Sequence, residues 1–327
     1  MYIPPKRVRA GSNVAVVAPS ATFMSNELLA GLDAIRECGL NPILGPCVKN
    51  LRTTIHNSAS VQERAEELNW AFSDPNISAV IAARGGEGAA ALLPYLNFDT
   101  IRKSQKPFLG KSDNTSISMG ILTKARLVTI NGRGAAVRCD KGNTAVECDT
   151  TSLKLALELL MSEQHWGDKP FCINEMQPRT VSPGIAKGCA IGGNFNTFVH
   201  LIGTDYFPDV ENTILFLEDT KTSSMELSRM LLHLKLAGVL NKLAGIVLGE
   251  FFDLPKKEGY GNDAATLEEV ILQYLKDGPP CIYGVSFSHG KYTCPIPMGA
   301  PCILDANRAT INFDFKMTPA VRYGRSL

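Results

Sequence analysis

Up to about Gly132, short apolar runs alternate with stretches whose apolar residues recur every three or four positions, the pattern of a parallel sheet covered by helices. Val14–Ala18 reads as a first strand. Leu28, Leu29, Leu32 and Ile35 then fall at helical spacing until Gly39 ends the helix. Ser60-x-x-Glu63 has the form of a capping box, in which each side chain satisfies a backbone N–H at the helix start, and it opens a helix carrying Leu68 and Phe72. Ile77–Ala83 reads as another strand and runs into Arg84-Gly85-Gly86-Glu87-Gly88. Phe108-Leu109 and Leu127–Ile130 supply two more.

Between about Arg133 and Ser182 charged residues, Gly, Asn and Cys dominate, interrupted by one helical stretch near Leu153–Leu160. From Gly184 apolar strands return at Ile214–Leu217 and Ala244–Leu248, with Met230, Leu231, Leu234 and Leu236 on a helix between them. Pro301–Phe313 reads as a hairpin around Asp305-Ala306-Asn307, and Asp253–Asp263 as a surface loop. The expected fold class is therefore α/β: an N-terminal parallel-sheet domain over 1–132, a linker and active-site flank over 133–183, and a strand-rich mixed C-terminal domain over 184–327. A length of 327 residues suits two domains.

Composition narrows the classes of function. Thirty-three basic and thirty-two acidic residues leave a net charge of +1, so no basic face argues for nucleic acid or an anionic membrane. The apolar run after the basic N-terminus is too short for a secretory core or a membrane span, so a cytoplasmic location is expected. Nine scattered cysteines without a Cys-x-x-Cys pair read as reduced thiols, with neither disulfides nor a metal site expected.

The most informative segment is Gly110-Lys111-Ser112-Asp113-Asn114-Thr115, where an apolar strand stops at glycine, presents a serine and starts a helix. A serine on so tight a turn has an exposed hydroxyl beside backbone N–H groups, the local geometry of a nucleophile. Simple helix capping by Ser112 accounts for the same pattern, and Asn114 replaces the second glycine of the usual Gly-x-Ser-x-Gly elbow. Arg84–Gly88 also follows a strand and lacks the endings of phosphate loops; its glycines let a backbone N–H approach a reacting oxygen, or serve a tight turn. Both loops belong at the carboxyl edge of an open sheet and are expected to be neighbours.

A serine nucleophile needs a base and the base needs an orienting acid. His200 and His233 lie within helices, and His56 and His165 in polar stretches, whereas the strand Ile282–Phe287 delivers His289 to a loop. Among carboxylates, Glu218 ends the apolar run Ile214–Leu217; it either holds an imidazole or, with Asp219, caps the next helix.

Together these segments resemble the LD-carboxypeptidase family of serine peptidases, which includes murein tetrapeptide carboxypeptidases and microcin-immunity peptidases. The matching pieces are Val16–Ser20, Arg84–Gly88, Gly110–Thr115, Gly192–Thr197, Leu215–Asp219, Ser288–Gly290 and Pro297–Ala300, in the family's order. The resemblance implies an N-terminal domain like the class I glutamine amidotransferases, a swivelling C-terminal domain, and a homodimer without metal or cofactor. It assigns catalysis to Ser112, Glu218 and His289; for acyl transfer through that serine the N–H groups of Gly86 and Asp113 are the expected oxyanion donors. Arg84, Glu87, Lys111 and Asn194 are the expected substrate contacts.

The implied activity is release of terminal D-alanine from a murein tetrapeptide. Cleavage of an aminoacyl-nucleotide amide, for which Trp166 is the candidate base-stacking residue, and non-catalytic peptide binding are the alternatives. Three departures stand out: Lys111 replaces an aromatic residue or histidine, Glu87 a tyrosine, and Asn131-Gly132-Arg133-Gly134 a Gly-Pro ending. A Lys111–Glu87 ion pair is the expectation for the first two.

Overall fold

The computed structural model describes residues 2–51, 57–141, 146–166, 177–252 and 265–319. His56 and the expected surface loop Asp253–Asp263 lie outside them. In the first half, β1 (Asn13–Val17), β2 (Asn41–Leu44), β3 (Ile77–Ala82), β4 (Phe108–Gly110) and β5 (Thr129–Asn131) form parallel neighbours in the order β5-β4-β3-β1-β2. Val14 to Val17 are all fully buried, as a strand covered on both faces requires. The covering helices are α1 (Ser25–Glu37), the short α2 (Pro46–Lys49), α3 (Val61–Ser73), α4 (Phe98–Ser104) and α5 (Thr115–Gly120).

The local signals act as their chemistry dictates. Ser60 and Glu63 close a reciprocal capping box on α3. Leu28, Leu32 and Ile35 face the core from α1, but Leu29 is 59% exposed, because its position in the helical wheel turns it off that face.

The middle segment carries more structure than a linker. β6 (Arg138–Lys141) and β7 (Val146–Asp149) pair antiparallel, and α6 (Thr151–Met161) packs against α1. The hairpin sets Cys139 directly opposite Cys148, and the two form a disulfide; Cys294 is disulfide-bonded as well. The expectation of uniformly reduced thiols is thereby corrected. A separation of nine residues resembles no short cysteine motif, and only the strand register brings the two together.

The second half is built on β8 (Arg179–Ser182), β9 (Ile185–Asn194), β10 (Ile214–Thr220), β11 (Gly245–Phe252), β12 (Cys281–Val285), β14 (Pro301–Asp305) and β15 (Thr310–Phe313), with α7 (Phe195–Val199), α8 (Ser224–Leu236) and α9 (Leu267–Leu275). Its sheet runs β15-β14-β9-β10-β11-β12-β8, parallel in the middle from β9 to β12 and antiparallel at both flanks. The hairpin expected around Asp305–Asn307 is β14–β15.

One strand from this half goes elsewhere. β13 (Ile296–Met298) pairs antiparallel with β5 and completes the first sheet as a sixth strand. The molecule is an α/β protein with a mostly parallel N-terminal sheet and a mixed C-terminal one. Among the described residues no helix is long and apolar enough to cross a membrane.

Candidate active site

β4 is buried throughout and ends at Gly110; Lys111 is still extended, and Ser112 then turns to φ +63° before a single 3-10 turn leads into α5. A left-handed backbone costs an L-residue about 1–2 kcal/mol, so the neighbours must hold it. Asn114 does much of this: its amide Nδ2 donates to the carbonyls of Lys111 and Arg84, both at 3.1 Å, joining the serine turn to the glycine loop. The residue that breaks the familiar elbow pattern is thus the one that ties the two loops.

The loops touch as closely as backbone allows. A Cβ on Gly85 would stand 2.7 Å from Ser112 Cβ and 2.9 Å from the Lys111 carbonyl oxygen. Gly86 has φ +130°, a conformation open to glycine. Asp113 braces the same junction through its side chain, accepting from Ser20 Oγ at 2.7 Å and from the Ala89 N–H at 2.8 Å. Burial pushes its carboxyl above the usual range, against these hydrogen bonds. Fully buried Arg64 donates to the Gly88 carbonyl at 3.1 Å and fixes the far end of the glycine loop. Ser20, Arg64 and the side-chain role of Asp113 escaped sequence reasoning, because their partners lie far along the chain.

From the other half, β10 runs on through Glu218 to Thr220, so Glu218 sits inside a strand and is fully buried. Its Oε2 lies 2.7 Å from His289 Nδ1. A carboxylate oxygen at that distance requires the proton on Nδ1, which leaves Nε2 as the basic nitrogen. Oε2 also receives the Lys111 ammonium at 3.3 Å. Burial alone would raise the Glu218 carboxyl, but Lys111 and His289 together bring it down to about 2.

The capping alternative for this acid pair is not what forms. Ser223 and Glu226 cap α8, while Asp219 accepts from Asn194 Nδ2 at 2.8 Å and from the Asn196 N–H at 3.2 Å.

Ser112, His289, Arg84, Lys111, Arg133 and Glu27 are among the residues lining one cavity of about 480 Å3. Arg138 and Lys221 line it too, so the charged groups on its walls are mostly cationic; Glu27 is paired with Arg84 at 3.1 Å. Arg133, from the loop after β5, donates to the Gly290 carbonyl at 3.2 Å beside His289. Its stretch was noticed as a departure, yet nothing in the sequence indicated its partner.

Two expected substrate contacts fall elsewhere. Asn194 is buried and spent on structure: its side chain bonds Asp219 and caps α7, and its N–H donates to Thr115 Oγ1 at 2.9 Å. Glu87 is exposed and outside the cavity lining, and Lys111 pairs with Glu218 rather than with Glu87. The geometric reason is the extended backbone at Lys111, which sends the side chain across to β10. Among the other histidines, His200 and His233 are exposed and His165 bonds Asp314. Among the described residues no group of three or more His, Cys, Asp or Glu side chains is arranged to hold a metal.

Residues 14–132 match the LD-carboxypeptidase N-terminal domain and residues 187–304 the LD-carboxypeptidase C-terminal domain. The chain is 29% identical over 309 residues to a Bacillus subtilis protein described as a probable murein peptide carboxypeptidase, covering 94% of this chain and 92% of that one. It is 27% identical over 320 residues to the microcin C7 self-immunity protein MccF of Escherichia coli, covering 90% of each. The fold is similar to that of MccF solved in complex with glutamyl sulfamoyl guanosine, at a TM-score of 0.81 and 23% identity, covering 96% of this chain and 99% of that one. With both halves matched in order over most of its length, the chain belongs to the LD-carboxypeptidase family of peptidases.

Proposed function

We propose that this chain is a serine-type LD-carboxypeptidase that releases the terminal D-alanine of a murein tetrapeptide by acyl transfer through Ser112. The observation that carries the reading is the 2.7 Å contact from His289 Nδ1 to buried Glu218, on an imidazole that shares a cavity with a serine at φ +63°. His289 Nε2 takes the Ser112 proton as Oγ attacks the amide carbonyl, and the proton passes to the departing amine of D-alanine. Water, deprotonated by the same imidazole, then frees the acyl group. Glu218 holds the tautomer and stabilises the imidazolium formed at each step. The N–H groups of Gly86 and Asp113 are the proposed oxyanion donors, and loss of one such donor costs about 100- to 1,000-fold in turnover.

The cationic lining suits a substrate that ends in a carboxylate and carries further acidic groups. Cleavage of an aminoacyl-nucleotide amide draws on the MccF relative, but Trp166, the residue considered for stacking a base, is not among the cavity's lining residues. The peptide reading is preferred on that ground. Purified protein incubated with murein tetrapeptide should release D-alanine, detected by mass spectrometry, and Ser112→Ala should release none. Turnover at near wild-type rate in Ser112→Ala removes the serine from the mechanism.

A further inference from the structure

Lys111 stands where β4 passes into the serine turn, and only 6% of it is exposed. Its ammonium lies 3.3 Å from Glu218 Oε2 and 3.4 Å from His289 Nδ1. Since Nδ1 carries the proton shared with Glu218, the ammonium donates to the carboxylate and not to the ring. One oxygen therefore receives two donors, while Oε1 of the same carboxylate has no hydrogen-bond partner among the described residues.

A buried ammonium is costly unless its charge is used, and an exposed alternative was open to a lysine at this rim, as Lys221 shows on the same cavity. The groups facing Lys111 are Glu218 and Asp219 from β10, His289 from the segment after β12, and Arg133 from the loop after β5. Among the described residues only Glu218 is in direct salt-bridge contact with it.

We infer that Lys111 is a positioning residue of this site: its ammonium fixes Glu218 by the oxygen that orients His289, so that turnover requires a charged side chain at position 111. The inference rests on the reading of Ser112, His289 and Glu218 as the catalytic groups. Burial, only partly offset by the Glu218 carboxylate, lowers the Lys111 ammonium to about 8. Raising the pH through that value removes one of the two donors on Oε2 and frees the carboxylate to rotate away from the ring.

The test combines kcat and KM between pH 6 and 10 with proton NMR of the downfield Nδ1–H signal of His289, assigned by its absence in His289→Asn. Wild-type kcat should fall on the alkaline side near pH 8. Lys111→Arg, whose guanidinium stays charged, should carry that limb upward by about one pH unit or more. Lys111→Met should lower kcat by about tenfold or more at pH 7, with KM changed less, and should shift or broaden the Nδ1–H signal.

An alkaline limb unmoved in Lys111→Arg, or an Nδ1–H signal unaltered in Lys111→Met, overturns the inference. If Lys111→Met does not fold, the wild-type and Lys111→Arg profiles decide alone. If no Ser112-dependent hydrolysis exists, the hydrolase reading fails, and the NMR signal still decides whether Lys111 holds Glu218.

Discussion

Gly85 and Ser112, on loops that follow different strands, approach so closely that the hydrogen on the Gly85 Cα occupies the only space between them: a methyl there would stand 2.7 Å from the Ser112 Cβ. The nearest obstacles are the serine's own Cβ and the Lys111 carbonyl, neither of which can rotate aside. Gly85→Ala should therefore displace the serine turn and lower kcat/KM by about 100-fold or more, because a shift of about 1 Å at a nucleophile is enough for that. Steady-state kinetics on a tetrapeptide, with a melting curve to show that the variant folds, checks it.

Asp113 follows the serine and accepts two buried hydrogen bonds, from Ser20 and from the Ala89 N–H. Asp113→Ala leaves both donors without an acceptor, at about 1–3 kcal/mol each. Urea unfolding should show Asp113→Ala as the less stable variant and Asp113→Asn between it and the wild type, since the amide keeps one acceptor oxygen. Equal stability of all three contradicts this.

Glu218 sets a pH dependence whose sign follows from its lowered carboxyl. The folded protein keeps it ionised down to about pH 2, against 4.5 for the ordinary group. Its contribution to stability is thus fully present above about pH 4.5 and is lost as the pH falls from there toward 2. The difference in melting temperature between wild type and Glu218→Gln, followed from pH 7 downward, should shift against the wild type below about pH 4.5. A difference constant over that range contradicts the assignment.

The cysteines offer a count. Cys139 and Cys148 are bonded to each other and Cys294 is bonded as well; since disulfides take cysteines in pairs, the unfolded, unreduced protein should present no more than five of its nine thiols to a thiol reagent, and reduction should restore all nine. Nine reactive thiols before reduction would remove the disulfides. Because Arg138 of the same hairpin lines the cavity, reduction should also lower the affinity for a tetrapeptide with Ser112→Ala as the binding form.

Much of this architecture was legible because it is written locally. The Ser60–Glu63 box, the buried runs at Val14 and Ile77, and the turn around Asp305 each depend on residues a few positions apart. The strand-to-loop transitions at Arg84, Ser112 and His289 were legible for the same reason. What was not legible depends on register or on side-chain direction: Cys139 meets Cys148 only through hairpin pairing, and Asn194 turns inward to Asp219 and Thr115. Lys111 was noticed as unusual but assigned to Glu87, because nothing short of the β10 geometry places Glu218 within its reach.

The strand β13 has a consequence for how the halves relate. His289 lies on the stretch between β12, which belongs to one sheet, and β13, which is sewn into the other. The imidazole is thus carried on a tether pinned at both ends to different bodies, and any hinge between them would drag it directly. A fragment cut near residue 133 would also expose the naked margin of β5, so separate expression of the two halves should yield insoluble material where the intact polypeptide does not.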